Sequence, residues 1–314
     1  IDHIIETDDG VLWVQTYYGL NKYDKKTNSL EHFDMFNKVL FIEKDSHNNL
    51  FIIQGDNSIY YYLKEENRFE KIDIPNLVFN DILNFFIYED KIWIFIKNGH
   101  SLCFSIQTEN KNLRLKKEED YIHGRTVLYS FNEEDVVFYV DSDFHLYELD
   151  PKTRQTVFIA DIRKQIQENG IVASIIKFHE DYFIGFKTNG LFVLRKAPKH
   201  EKGYSIEKIP INCGIFSLIE DKHQDIVWIG TDGQGVYSYS NNSYSIRSTL
   251  LNDFSLRMSR PVRAMYIDDE KTLWIGSKGD GILKIYDYDI SKNVLDCRME
   301  NLTISNSLLK DNSV

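Results

Sequence analysis

Seven aromatic anchors recur along this chain at nearly fixed intervals. Four are tryptophans in closely similar phrases: DDGVLWVQT around Trp13, EDKIWIF around Trp93, QDIVWIGT around Trp228 and EKTLWIGS around Trp274. Three have phenylalanine in the same slot: NNLFIIQ at Phe51, EDVVFYV at Phe138 and EDYFIGF at Phe183. The steps between successive anchors are 38, 42, 45, 45, 45 and 46 residues. A period of this size marks a repeat architecture, in which no single repeat buries its apolar face alone. By length alone, 314 residues fit one large domain or two ordinary ones. The repeat points to one closed ring.

The last copy shows what one repeat contains. VRAMYIDD alternates partly and is rich in apolar groups, so it reads as a strand buried on at least one side. DDEKT is a turn, LWIGS a second strand with Trp274 as its large apolar group, KGDG a tight turn and ILKIYDYD a third strand. CRMENLTIS supplies a fourth. Four antiparallel strands joined by short turns make one propeller blade. The same order recurs in IFSLIEDK, IVWIGT, GVYSYS and YSIRS, and in IDHIIETD, VLWVQT, GLNKYD and LEHF. The predicted fold is therefore all-β, a seven-bladed β-propeller with four antiparallel strands per blade. The expected repeats are 1–38, 39–79, 80–124, 125–170, 171–214, 215–261 and 262–314. An aromatic content of 14% favours strands over helices.

Gly19, Gly99, Gly190, Gly235 and Gly281 fall just before or at the start of the third strand, where a short hairpin needs positive φ. Asp56-Asn57 and Asp143-Phe144 take that place in two weaker blades. DIRKQIQENG (161–170) breaks the pattern. Ile162 and Ile166 have helical spacing, Asp161 is a candidate N-cap and Gly170 a candidate C-cap. A short helix is expected there, between two blades.

The phrases VRAMYIDDEKTLWIGSKGDGILKIYD, IFSLIEDKHQDIVWIGTDGQGVYSYS and IIETDDGVLWVQTYYGLNKYD resemble the two-component regulator propeller repeat, V-x-x-I-x-x-D…G-x-L-W-I-G-T…G-G-L. The likeness is specific in those three blades and looser in blades two to five, which have lost the Trp or the G-T pair. It implies the periplasmic sensor half of a hybrid two-component system, whose members commonly sense breakdown products of polysaccharides. It also implies a second propeller, an immunoglobulin-like domain, a membrane span and a histidine kinase outside these residues, and a homodimer of the full-length protein. The opening IDHIIETDDG starts directly in a strand, and the tail NSLLKDNSV resembles the lead-in to a further repeat. Both fit a first propeller cut from a longer sensor ectodomain.

Composition limits the partners. With 37 basic and 48 acidic residues the formal charge is −11, against the basic face that nucleic acid needs. A local cationic pocket remains compatible with that balance. Cys103, Cys213 and Cys297 are sparse and odd in number, and form no metal-ligand spacing. They read as small buried hydrophobes. No apolar run approaches the 18 residues of a membrane helix. No cofactor or metal is expected.

In a propeller, the turns between strands two and three and the links into strand one open on one end. The expected ligand-binding residues there are Tyr17, Tyr18, His100, Arg125, His145, Lys187, Asp232, Gln234, Arg260, Arg263, Lys278 and Asp280. Gln54, Asp56, Asn98, Asp143 and Asn189 share those turns. A sugar takes flat rings against its CH faces and hydrogen-bonding side chains against its hydroxyls, which Tyr, Asn and Asp supply. Arg125, Arg260 and Arg263 suit a carboxylate or sulfate. The expected ligand is an oligosaccharide breakdown product. Trp13, Phe51, Trp93, Phe138, Phe183, Trp228 and Trp274 are expected to be structural blade anchors.

Two other classes stay open. Many propellers are scaffolds for a protein partner, and exposed apolar surface would favour that. Some are enzymes. ETDDGVLW loosely resembles a sialidase box but occurs once, with no arginine triad to accompany it. A lyase resembling the streptogramin-inactivating propeller would need a His/Glu pair and Mg²⁺, for which His100 and His145 are the candidates. A G-x-S-x-G nucleophile elbow is absent. Asp141-Ser142-Asp143 and Asp287-Tyr288-Asp289 lack the full spacing of a calcium loop and read as turn residues.

Overall fold

The computed structural model describes residues 3–7, 9–16, 19–36, 38–72, 82–109, 112–133, 135–196, 203–240, 245–249, 258–289 and 297–313. Seven antiparallel sheets follow one another, each built from strands consecutive in sequence. The first strands are Ile4–Thr7, Val39–Lys44, Ile82–Tyr88, Val127–Glu133, Val172–Phe178, Ile215–Asp221 and Val262–Ile267. The second strands, which hold the anchors, are Val11–Thr16, Leu50–Gln54, Lys91–Ile96, Val136–Asp141, Asp181–Phe186, Ile226–Thr231 and Leu273–Ser277. The molecule is a seven-bladed β-propeller with four antiparallel strands per blade. In blade three a short extra strand, Tyr121–Ile122, also pairs with the third strand, His100–Glu109.

All seven anchors are 2% exposed or less. Rings of the neighbouring blade help to cover Trp274 and Phe183. Trp274 meets Tyr23 of blade one at 5.3 Å between ring centroids, and Phe183 meets Tyr239 of blade six at 4.9 Å. In two blades a buried aspartate at or just past the end of the first strand ties the following turn to the anchor. Asp221 accepts the Trp228 indole N–H at 3.2 Å and the His223 amide at 3.0 Å. Asp268 accepts the Trp274 indole at 2.9 Å and the Glu270 and Thr272 amides at 3.0 and 2.8 Å. Asp45 closes the matching turn of blade two through the His47 and Asn49 amides.

The chain divides into two compact units, Ile1–Met35 with Gln165–Val314, and Phe36–Lys164. The first holds blades one, five, six and seven. Its apolar clusters run from blade five into six, six into seven, and seven into one. The second holds blades two, three and four, with clusters joining two to three and three to four. Within each unit the first strands pack against one another. Six of these first strands share a β-bulge at one place, near the start of the strand. The residues skipped by the ladder are Leu40, Leu83, Leu128, Ala173, Phe216 and Arg263, and each is only partly buried. A bulge re-aims the side chain of its extra residue.

The helix between blades four and five is Arg163–Asn169. Asp161 accepts the Arg163 amide at 2.9 Å, Gly170 donates to the Ile166 carbonyl at φ +81°, and Ile162 is fully buried. No helix among the described residues is long and apolar enough to cross a membrane. Cys103 is buried, and Cys213 and Cys297 are partly buried.

Candidate functional site

Backbone hydrogen bonds hold the second-to-third turns beside the links into the first strands. The amides of Gly55, Ser142, Lys187, Asp232 and Lys278 donate to the carbonyls of Lys38, Thr126, Ile171, Gly214 and Pro261, at 2.8–2.9 Å. In these five blades this ties the end of strand two to the start of strand one, and in blade three the Lys97 carbonyl of the turn accepts the Val127 amide at the start of blade four's first strand, so the described site residues of each unit sit at its turn end.

In the unit of blades two to four, that end carries an open, polar cleft of about 430 Å³. It is lined by Asn98, Gly99, His100, Ile122, Gly124, Arg125, Thr126 and Ser142. Gly99 makes the close approach possible. It sits at φ +86°, accepts the His123 amide, and a Cβ there would lie 2.2 Å from the Arg125 carbonyl oxygen. Of the expected residues, His100 and Arg125 line this cleft. His145 joins through the next shell of contacts: Arg125 Nη1 lies 2.6 Å from Asp143 and 3.5 Å from Asp141, and His145 Nδ1 lies 3.8 Å from Asp141. Asp141 also accepts the Asp143 and His145 amides, which places Asp141-Ser142-Asp143 in a hairpin turn. In that turn it is Phe144, not Asp143, that takes positive φ, at 62°. The Arg163 guanidinium lies 5.2 Å from the Phe144 ring and donates to the Asp143 carbonyl. Arg125 is therefore already paired with two carboxylates, which weakens it as an anchor for a ligand anion.

His123, next to this cleft, was not legible as part of it. Its ring lies among Phe95, Tyr121 and Tyr139, and its Nε2 is 2.6 Å from Ser101 Oγ. Burial, with His100 nearby, pushes its pKa down to about 4, so the ring is neutral at physiological pH. Its only sequence signal is the histidine itself, in a phrase without a repeat counterpart.

In the unit of blades one, five, six and seven, Lys187, Asp232, Gln234, Arg260 and Lys278 are exposed on turns and links. Gln234 is anchored by Thr231 Oγ1 to its amide and by the Tyr237 hydroxyl to its side-chain oxygen, both at 3.1 Å. The Asp280 carboxylate is taken up by the Ser259 and Arg260 amides at 2.8 and 2.9 Å, so it clamps the link into blade seven. Arg263 lies with its guanidinium carbon 3.8 Å from the Phe216 ring centroid. Tyr17 and Tyr18 lie outside the described residues. Among the described residues no group of three or more His, Cys, Asp or Glu side chains is placed to hold a metal.

No family model and no curated protein matches the chain. Among solved structures, the extracellular domain of a candidate one-component system from B. thetaiotaomicron is similar, with a TM-score of 0.61 and 18% identity. That match covers 88% of this chain and 35% of the other, so the chain spans about a third of its length. The computationally designed protein Ika8 is also similar, with a TM-score of 0.59 and 10% identity, over 95% of this chain and 85% of that one. At these identities the likeness is one of fold.

Proposed function

We propose that this propeller is the ligand-sensing, extracytoplasmic part of a hybrid two-component system that regulates polysaccharide use. On this reading it lies in the periplasm, binds an oligosaccharide breakdown product and performs no catalysis itself. The second propeller, immunoglobulin-like domain, membrane span and kinase belong to the rest of the protein, which works as a homodimer. The observation that carries the reading is the polar cleft at His100 and Arg125, at the turn end of blades three and four. The resemblance of three blades to the two-component regulator repeat supports it, as does the likeness in fold to an extracellular domain.

Calorimetry of the chain against a panel of plant and host oligosaccharides tests this. Saturable binding by at least one, weakened by Arg260→Ala or by His100→Ala, is the expected result. Absence of binding across the panel overturns the oligosaccharide reading for this propeller.

A protein-docking role has one observation in its favour. Ile122, Val157 and Phe158, in blades three and four, are 65%, 57% and 45% exposed. If that surface docks another domain, Phe158→Ser should loosen the complete ectodomain in sedimentation while leaving sugar affinity unchanged.

A further inference from the structure

We infer that the stacked pair Arg263 and Phe216 anchors a ligand through an oxyanion group, a carboxylate or a sulfate, at the turn end of blades six and seven. This deepens the sensing role proposed above and rests on it for the rest of the ligand.

The shared bulge is the starting point. It turns one residue of each first strand out of the ladder, and in blades two to five that residue is Leu40, Leu83, Leu128 or Ala173. Only in blades six and seven does it supply an aromatic ring and then a cation. The two first strands are neighbours, and at 3.8 Å the guanidinium lies against the ring. Arginine stacked in this way keeps its charge, loses side-chain freedom in advance, and leaves its N–H edge free to take an oxyanion bidentately.

That edge has no acceptor among the described residues. The contrast with other arginines of the molecule is direct. Arg125 is paired with Asp143 and Asp141. Arg195 donates to Glu207, Asp181 and the Tyr239 hydroxyl. Arg263 is partly buried, lies against the Phe216 ring, and has no carboxylate partner among the described residues. The surrounding charges favour an anion although the chain as a whole carries −11. Lys187, Arg260 and Lys278 are exposed at the same end of this unit. The Asp280 carboxylate is already engaged by two amides, which leaves Asp232 as the exposed acid of these turns. A local cationic patch of this kind raises the concentration of anions at the site.

The test uses the whole chain and four probes in calorimetry: an oligogalacturonate, a sulfated chondroitin oligosaccharide, an uncharged oligosaccharide of similar length, and adipate as a dicarboxylate that is not a sugar. Binding by either anionic sugar is expected to weaken about tenfold or more in Arg263→Gln and in Phe216→Leu, and to weaken as salt rises. Which anionic sugar binds identifies the group. Arg263→Lys keeps the charge but not the planar fork, so it should restore only part of the affinity. Circular dichroism melts check that each variant is folded. If only the uncharged oligosaccharide binds, the inference falls and the sensing role stands. If adipate binds as tightly as the sugars through Arg263, the inference stands and the sugar reading falls. Anion binding unchanged in Arg263→Gln, or no binding by any probe, overturns the inference.

Discussion

Glu43, on the first strand of blade two, accepts a hydrogen bond from Asn132 Nδ2 on the first strand of blade four, at 3.2 Å. Burial raises its pKa from 4.5 to about 8, outweighing the opposing effects of Asn132 and Lys44. Between those two values the folded chain holds a proton that the unfolded chain has released, so stability falls as pH rises through the window. Below it the group is protonated in both states and costs nothing. Glu43→Gln removes the titration and keeps the shape. We predict that urea midpoints of parent and variant converge at about pH 4 and that the variant is the more stable at about pH 8.5. Parallel curves would show that Glu43 is solvated. Residues of this kind were only partly legible. The aspartates Asp221 and Asp268 stand inside the repeated phrases, yet nothing in their spacing tells that their carboxylates receive the tryptophan indoles. Arg125 was legible as a cation, but its neutralisation by Asp141 and Asp143 depends on a fold that brings residues 16 and 18 positions apart together.

Turns and bulges behave differently from each other as elements. The second-to-third turns announce themselves through glycine, because positive φ restricts what the chain can place there. Gly99 and Gly124 separate two reasons for that restriction. Both lie at positive φ, +86° and +79°, but a Cβ at Gly99 would strike the Arg125 carbonyl at 2.2 Å, whereas at Gly124 it would meet nothing within 4 Å. Gly124→Ala should therefore cost only the conformational strain, about 1 kcal/mol. Gly99→Ala adds a backbone clash, and about 2–4 kcal/mol is expected, with the cleft at His100 and Arg125 distorted. Equal losses in denaturant titrations would mean that the 97–99 turn yields easily. The bulges leave no such mark. One extra residue shifts the register of a first strand that is already apolar on both sides, so the partial alternation of VRAMYIDD reads the same with or without it. For that reason the sequence marks Arg263 only as a cation beside the link into its blade, and nothing in IFSLIEDK points to Phe216 as the ring it lies against.

At the scale of the whole molecule, seven anchors counted the blades because each blade needs one large apolar group in its second strand. What closes the first unit was harder to read, since it depends on contacts between opposite ends of the sequence. Lys25 of blade one lies 2.5 Å from Glu6 and 3.3 Å from Asp268 of blade seven. Buried Lys284 of blade seven donates to the Tyr23 hydroxyl of blade one at 2.6 Å, between the rings of Tyr23 and Trp274. Residues 303–313 act here as a clasp on both blades. The Gly279 and Gly281 amides donate to the Asn312 carbonyl, Lys278 and Ser313 form a β-bridge, and Lys310 pairs with Asp34. Leu309, 4% exposed, enters the core shared by blades one and seven. Leu309→Ala should cost about 2–4 kcal/mol, the usual range for emptying a buried leucine site. Ending the chain at Thr303 removes that side chain and the backbone bonds together, so its melting temperature should fall further than that of Leu309→Ala, by about 5 °C or more. A truncated chain that melts with the parent would show that the two blades hold each other through Lys25, Lys284 and the Trp274–Tyr23 contact alone.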